Sequence, residues 1–225
     1  MLADFTWREF FIEKGCTGEK FDRIVKATVE NEKWNEYDRG TITDEEILQS
    51  FVESDPEMEE DIVRCLSNLK GIVSKNDYAI PWIKELKDKG YQVLYLSNFS
   101  RKAEVECADA LDFLPYMDGG ILSYKEHVIK PMPEIYKLLI ERYQLVPEEC
   151  VFMDDLEQNL KGAEAFGIHT IQFVNQKQAI EDLKKLGRAD LADLIREYYG
   201  PEFAESFPAD TKASLEKGKA LVDAV

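Results

Sequence analysis

The hydrophobic period of the chain changes near residue 76, and this change limits the possible folds more than any other feature. Before it, apolar residues recur at helical spacing: Trp7, Phe10 and Phe11 in a stretch closed by Gly15, then Phe21, Ile24 and Val25 in the next. After it, short continuous apolar runs alternate with helical stretches. Val93, Leu94, Tyr95 and Leu96 form one run, Cys150, Val151, Phe152 and Met153 a second, and residues 168–174 a third. A weaker run, Ile121 to Ser123, comes after the turn at Asp118, Gly119 and Gly120. Helices are expected over residues 81–89, closed by Gly90, and from Pro133 through Tyr143. Strands alternating with helices imply a parallel α/β sheet with right-handed connections.

The chain divides into three zones. Residues 1–75 are expected to form a helical layer with no strand, entered through a hinge at residues 1–6. Thr43 followed by Asp44, Glu45 and Glu46 is a capping box: the threonine hydroxyl accepts from the Glu46 amide while Glu46 reaches back. Asp55 and Pro56 are expected at the N-cap and first position of a further helix. Residues 76–187 carry the α/β pattern. Residues 188–225 are expected to be a helical tail, with Leu191, Leu194, Ile195 and Tyr198 on one face and a break at Gly200-Pro201.

Composition removes several function classes. With 28 Lys and Arg against 45 Asp and Glu, the formal charge is −17. Phosphate backbones and anionic lipid surfaces both require a basic face, so neither nucleic acid nor a membrane is expected as a partner. The longest uncharged run, residues 165–176, is too short to span a bilayer. Cys16, Cys65, Cys107 and Cys150 have no paired spacing, and His127 and His169 stand alone. That pattern argues against a disulfide scaffold or a zinc site and makes a reducing cytoplasm the expected location.

The chemistry concentrates at strand ends. Ligands of open parallel sheets sit beyond the carboxyl ends of the strands. Ser97 and Asn98 stand after the first run and offer a hydroxyl and an amide. Asp154 and Asp155 stand after the second and offer the hard oxygens that Mg²⁺ prefers. Lys130 stands between Ile129 and Pro131, where a fixed ammonium would neutralise a phosphoryl oxygen and the carboxylates. Taken singly, each has a plainer explanation: a helix cap for the Ser-Asn pair, a turn for the Asp pair, a solvated side chain for the lysine. Their order along the chain favours one site.

The stretch from Leu96 to Ala163 resembles the haloacid dehalogenase-like hydrolase superfamily. Leu96-Ser97-Asn98 resembles its second motif, residues 129–136 (IKPMPEIY) its third, and residues 152–163 (FMDDLEQNLKGA) its fourth. The helical zone resembles the all-helical cap of that superfamily. Residues 34–43 (WNEYDRGTIT) are similar to the subgroup that includes the phosphatase domain of epoxide hydrolases and small sugar-phosphate phosphatases. The resemblance implies a Rossmann-like core and a nucleophilic aspartate that forms an aspartyl-phosphate, which water then hydrolyses. It implies Mg²⁺ as cofactor, held by Asp155 with Asp154 in support. Ser97 and Asn98 would hold the transferring phosphoryl group, and Lys130 would stabilise it.

The first motif of the superfamily, a central apolar strand ending in the nucleophile, has no counterpart here. Residues 1–5 match the segment just after that strand. Asp4 is a poor substitute, because three residues before it are too few for a buried strand. About five buried apolar side chains at roughly 1.5–3 kcal/mol each would be lost with that strand, against a whole-domain stability of about 5–15 kcal/mol. The fold is therefore expected to be marginal unless another segment fills the position. The expected function is a Mg²⁺-dependent phosphatase of small phosphorylated metabolites, with this chain itself inactive or nearly so. The alternative is a non-catalytic binding or scaffold relative. A carbon–halogen hydrolase fits less well, because that chemistry also needs the missing aspartate.

Overall fold

The computed structural model describes residues 1–88, 90–175, 178, 179, 181 and 182, and residues 220–223 as backbone. The chain enters through a three-residue strand, β1 (Ala3–Phe5), and then builds the cap: α1 (Trp7–Glu13), α2 (Glu19–Ala27), α3 (Lys33–Arg39), α4 (Asp44–Ser54) and α5 (Glu59–Leu66). Strand β2 (Val73–Lys75) returns from the cap and pairs antiparallel with β1. The core comes next as α6 (Ala79–Asp88), β3 (Gln92–Ser97), α7 (Arg101–Glu106), β4 (Gly119–Leu122), α8 (Ser123–Glu126), α9 (Pro133–Tyr143), β5 (Cys150–Asp154), α10 (Glu157–Glu164) and β6 (His169–Gln172). A last strand, β7, spans Ala220–Asp223.

The capping box forms as its residue types require. Thr43 Oγ1 accepts from the Glu46 amide at 3.1 Å, and Glu46 accepts from the Thr43 amide at 2.9 Å. Asp55 and Pro56 stand at the N-cap and in the first turn as expected, but of a 3-10 turn, Pro56–Met58, that runs directly into α5, and the Asp55 carboxylate is held by Arg23 at 2.8 and 2.5 Å. The absence of strands before residue 76 is also corrected. β1 and β2 are only three residues each, too short to show a period of two. They form because the two passages between cap and core run side by side and satisfy each other's backbone groups.

The main sheet has the order β4-β3-β7-β5-β6, and every described pairing in it is parallel. All five residues of β5 are buried, which explains its unbroken apolar run. One core cluster joins the cap interior to one face of the sheet, with Phe11, Ile62, Val93 and Met153 among its members. The second fills the other face with Leu94, Leu96, Phe152, Ile135 and Tyr136. Residues 93 to 96 thus divide between the two clusters by the alternation of a strand.

The middle of the sheet is occupied by β7. Ala220, Leu221, Val222 and Asp223 lie opposite Gln92, Val93, Leu94 and Tyr95 on one side, and opposite Cys150, Val151, Phe152 and Met153 on the other. The expectation of a helical tail is corrected for these four residues. An Ala-Leu-Val run suits a position flanked by apolar strands, and both neighbours leave ladder groups there to be paired. The expected helical face at Leu191, Leu194, Ile195 and Tyr198 lies outside the described residues.

Candidate functional site

A cavity of about 710 Å³ opens between the cap and the carboxyl ends of β3 and β5. Asn98, Lys130, Asp154 and Asp155 form its core side; Trp34, Asn35 and Asp38 of α3 form its cap side. Asp4 and Phe5 of β1 line the edge between them.

Lys130 and Asp154 are the fixed centre. Their side chains are 4% and 1% exposed, and Lys130 Nζ lies 2.8 Å from Asp154 Oδ2. Asp154 also accepts from the Leu156 amide at 2.8 Å and from Asn159 Nδ2 at 3.0 and 3.1 Å. With those donors the buried carboxylate stays satisfied. Asn98 locks the lysine from behind: its Nδ2 donates to the Lys130 carbonyl at 3.0 Å, and its Oδ1 accepts from the Lys130 amide at 2.7 Å. The Phe152 ring lies beneath the ammonium at 5.6 Å.

Asp155 opens onto the cavity beside this pair. Partial burial, and after it the neighbouring Asp154 charge, push its carboxyl above the ordinary range. On the cap side, burial pushes the Asp38 carboxyl up to about 7, opposed by the positive charge of Lys130. The helix that carries Asp38 is latched to the core. Ser123, fully buried, donates from Oγ to the Asp38 carbonyl and accepts from the Phe99 amide at 2.8 Å. Gly40 lies two residues on at φ +70°, and a Cβ there would stand 2.7 Å from the Tyr124 carbonyl oxygen. Only glycine permits that turn and that approach.

The five residues expected from the sequence do not all share one role. Lys130, Asp154, Asp155 and Asn98 meet at the cavity. The Asn98 side chain is spent on the Lys130 backbone, so its amide positions the lysine and does not reach into the cavity. Ser97 is fully buried behind the lining, its Oγ 3.4 Å from the Asn98 carbonyl oxygen. His127 donates from Nδ1 to the Arg39 carbonyl, 3.1 Å away, and joins cap to core instead of lining the cavity. His169 is exposed on the edge strand. Sequence reasoning missed Asp38 and Asn159. Asn159 stands in the fourth motif, a usable signal; Asp38 reads as one more acid in an acidic helix.

The donor set can be weighed against Mg²⁺. Among the described residues, no group of three or more His, Cys, Asp or Glu side chains converges. Mg²⁺ nevertheless binds commonly through one or two carboxylates, with water and substrate phosphate completing its shell. Asp155 at the cavity wall, supported by Asp154, fits that requirement. Asn159 Oδ1 is a further buried oxygen without a hydrogen-bond partner.

The model of the haloacid dehalogenase-like hydrolase family matches residues 8–167. Mouse acyl-CoA dehydrogenase family member 10 is 30% identical over 171 residues, covering 72% of this chain and 16% of that protein. The phosphorylated carbohydrates phosphatase of Thermotoga maritima is 28% identical over 111 residues, covering 49% of this chain and 50% of its own. The chain therefore spans about a sixth of the first and half of the second. Among solved structures, the magnesium complex of a HAD-family enzyme from Bacteroides thetaiotaomicron superposes with a TM-score of 0.55 at 26% identity, covering 76% of this chain and 87% of that one.

Proposed function

Since the chain belongs to the haloacid dehalogenase-like hydrolases, we propose that it is a Mg²⁺-dependent phosphatase of small phosphorylated metabolites. The observation that carries the reading is the buried Lys130–Asp154 pair facing a cavity beside Asp155. A permanently desolvated ammonium, held from behind by Asn98, is suited to phosphoryl oxygens. The names of the relatives agree: one is a phosphatase of phosphorylated carbohydrates, and the Bacteroides enzyme binds magnesium. The narrower kinship with the phosphatase domain of epoxide hydrolases rests on residues 34–43.

In this reading residues 1–75 are the cap and residues 76–187 the core. Lys130 binds the phosphoryl end of the substrate, with Asn98 fixing the lysine backbone and Ser97 backing that loop. Asp155, supported by Asp154, would hold Mg²⁺, which supplies charge neutralisation at the phosphate. The cap side, with Trp34, Asn35 and Asp38, faces the organic part of the substrate. The cysteine pattern supports a reducing cytoplasm as the location.

The test is release of inorganic phosphate from a panel of small phosphomonoesters, with and without magnesium. Magnesium-dependent release lost in Lys130→Ala supports the reading. A chain that binds neither magnesium nor inorganic phosphate overturns it. The sequence expectation of an inactive chain rests on the missing nucleophilic aspartate; the separate expectation of a marginal fold rests on an empty middle position in the sheet, where β7 stands.

A further inference from the structure

We propose that the cavity selects phosphomonoesters whose organic part carries a positively charged nitrogen a short spacer away from the phosphate, with Asp38 and Trp34 of α3 receiving that cation. The proposal rests on the phosphatase reading above and names the substrate class of the same site.

The charges on the lining carry the inference. Among the described lining residues Lys130 is the single positively charged side chain, against the carboxylates of Asp4, Asp38, Asp154 and Asp155. The ammonium is committed to the phosphoryl end, where it pairs with Asp154. The other two acids lie toward the cap. Asp4 accepts from a neutral amide, Asn76 Nδ2, at 3.1 Å. The Asp38 carboxylate has no hydrogen-bond or ion-pair partner among the described residues; it feels burial and, beyond contact range, the charge of Lys130. A carboxylate placed in a partly desolvated wall without a donor is short of a positive partner. An organic group with a second negative charge would meet Asp4 and Asp38 and no uncommitted cation, even with Mg²⁺ at Asp155 counted.

The rings beside Asp38 complete the argument. Trp34 and Asp38 are four residues apart on α3 and so share one side of the helix. The Trp34 ring is stacked on Phe51 at 5.9 Å and 20°, and Phe5 of β1 lies against it at 5.9 Å. Phe5 and Trp34 both line the cavity, and Phe5 is 49% exposed. Aromatic rings next to a carboxylate suit an alkylated ammonium, which lies on the rings and pairs with the charge without needing hydrogen bonds. The Ser123 and Gly40 contacts that latch α3 to the core hold this pair in place relative to Lys130. The Lys130 charge is felt at Asp38, so the two ends of the site are close and the spacer is short.

The experiment measures phosphate release by the full chain, with magnesium, from three esters. They are phosphocholine, its uncharged isostere dimethylbutyl phosphate, and phosphoglycolate, whose organic part is a carboxylate. The expected order of kcat/KM is phosphocholine, then dimethylbutyl phosphate, then phosphoglycolate, with about tenfold or more between the first two. In Asp38→Asn that gap should fall below about threefold, chiefly through a higher KM for phosphocholine, and Trp34→Leu should narrow it less. Each ratio is taken within one protein, so partial loss of folded variant leaves it unchanged; if Asp38→Asn does not fold, the unaltered chain decides alone. A gap smaller than about tenfold in the unaltered chain, or one that stays above about threefold in folded Asp38→Asn, overturns the proposal. Release from any ester then leaves the phosphatase reading standing. If no ester is hydrolysed, calorimetry replaces the rates: phosphocholine binding about tenfold or more tighter than dimethylbutyl phosphate supports the proposal, and a smaller difference or no binding overturns it. In that case binding of magnesium and inorganic phosphate, abolished by Lys130→Ala, decides the phosphatase reading separately.

Discussion

In the cap, Arg23 divides its guanidinium between Asp55 and Glu57, and Lys20 and Arg64 share Asp61, with at least one member of every pair a third or more exposed. In the core, Lys130 and Asp154 face each other almost entirely out of water. The two arrangements obey different physics. An exposed pair gains little over its hydrated partners and is screened by salt. A buried pair is costly to form, and removing one member strands the other without solvent. The cap pairs therefore adjust a surface, whereas the core pair commits stability to holding a charge where chemistry can use it.

The largest expected effect tests the core side of this contrast. Lys130→Met keeps the apolar stem and removes the ammonium, leaving Asp154 buried with Asn159 and the Leu156 amide as its remaining partners. The expected loss is about 3–5 kcal/mol, read as a lower urea midpoint, together with loss of phosphate binding. The double variant Lys130→Met/Asp154→Leu should regain much of the stability and none of the binding. If the single variant is as stable as the original, the buried pair is not the fixed centre described here.

Much of this core was legible in the chain. β3 and β5 are buried on both faces, so their apolar runs are unbroken, and the polar residues after them sit at the strand ends. The Thr43 capping box was equally legible because its partners are three residues apart. What escaped depends on partners far away in sequence. Asn98 clamps a backbone 32 residues on, and Ser123 bridges to Asp38 across 85 residues. β7 escaped for the same reason: four residues with no local signal become a strand only because β3 and β5 leave a place between them.

Asp38 belongs to the cap by sequence and to the core by environment, so it sharpens the comparison. Burial raises its carboxyl to about 7, with Lys130 opposing. The folded chain then holds a proton that the unfolded chain has released between the ordinary carboxylate range and about pH 7. Stability from this group is complete below that window and is lost as pH rises through it. Asp4, Asp154 and Asp155 line the same cavity and Lys130 is the cation facing it. Because the cavity is open to solvent, the expected effect is discounted to on the order of 1–2 kcal/mol between pH 5 and pH 8. Urea melts at the two pH values should show the drop in the original chain and a much smaller drop in Asp38→Asn. Equal drops in both would return Asp38 to the ordinary surface acids of the cap.

The smallest expected effect lies at Arg23. Its hydrogen bonds hold the Asp55 carboxyl below the usual carboxylate range. The contribution is therefore present above that range and is lost as pH falls through the lowered value. Arg23 is nevertheless at the surface, and water and salt replace much of what Arg23→Ala removes. The urea midpoint of Arg23→Ala at neutral pH should move far less than that of Lys130→Met. Its difference from the original chain should shrink further as salt is raised, while the Lys130→Met difference should not. A salt-insensitive loss at Arg23 comparable with the loss at Lys130 would mean that the cap, too, relies on charge held away from water, and the contrast between the two regions would fail.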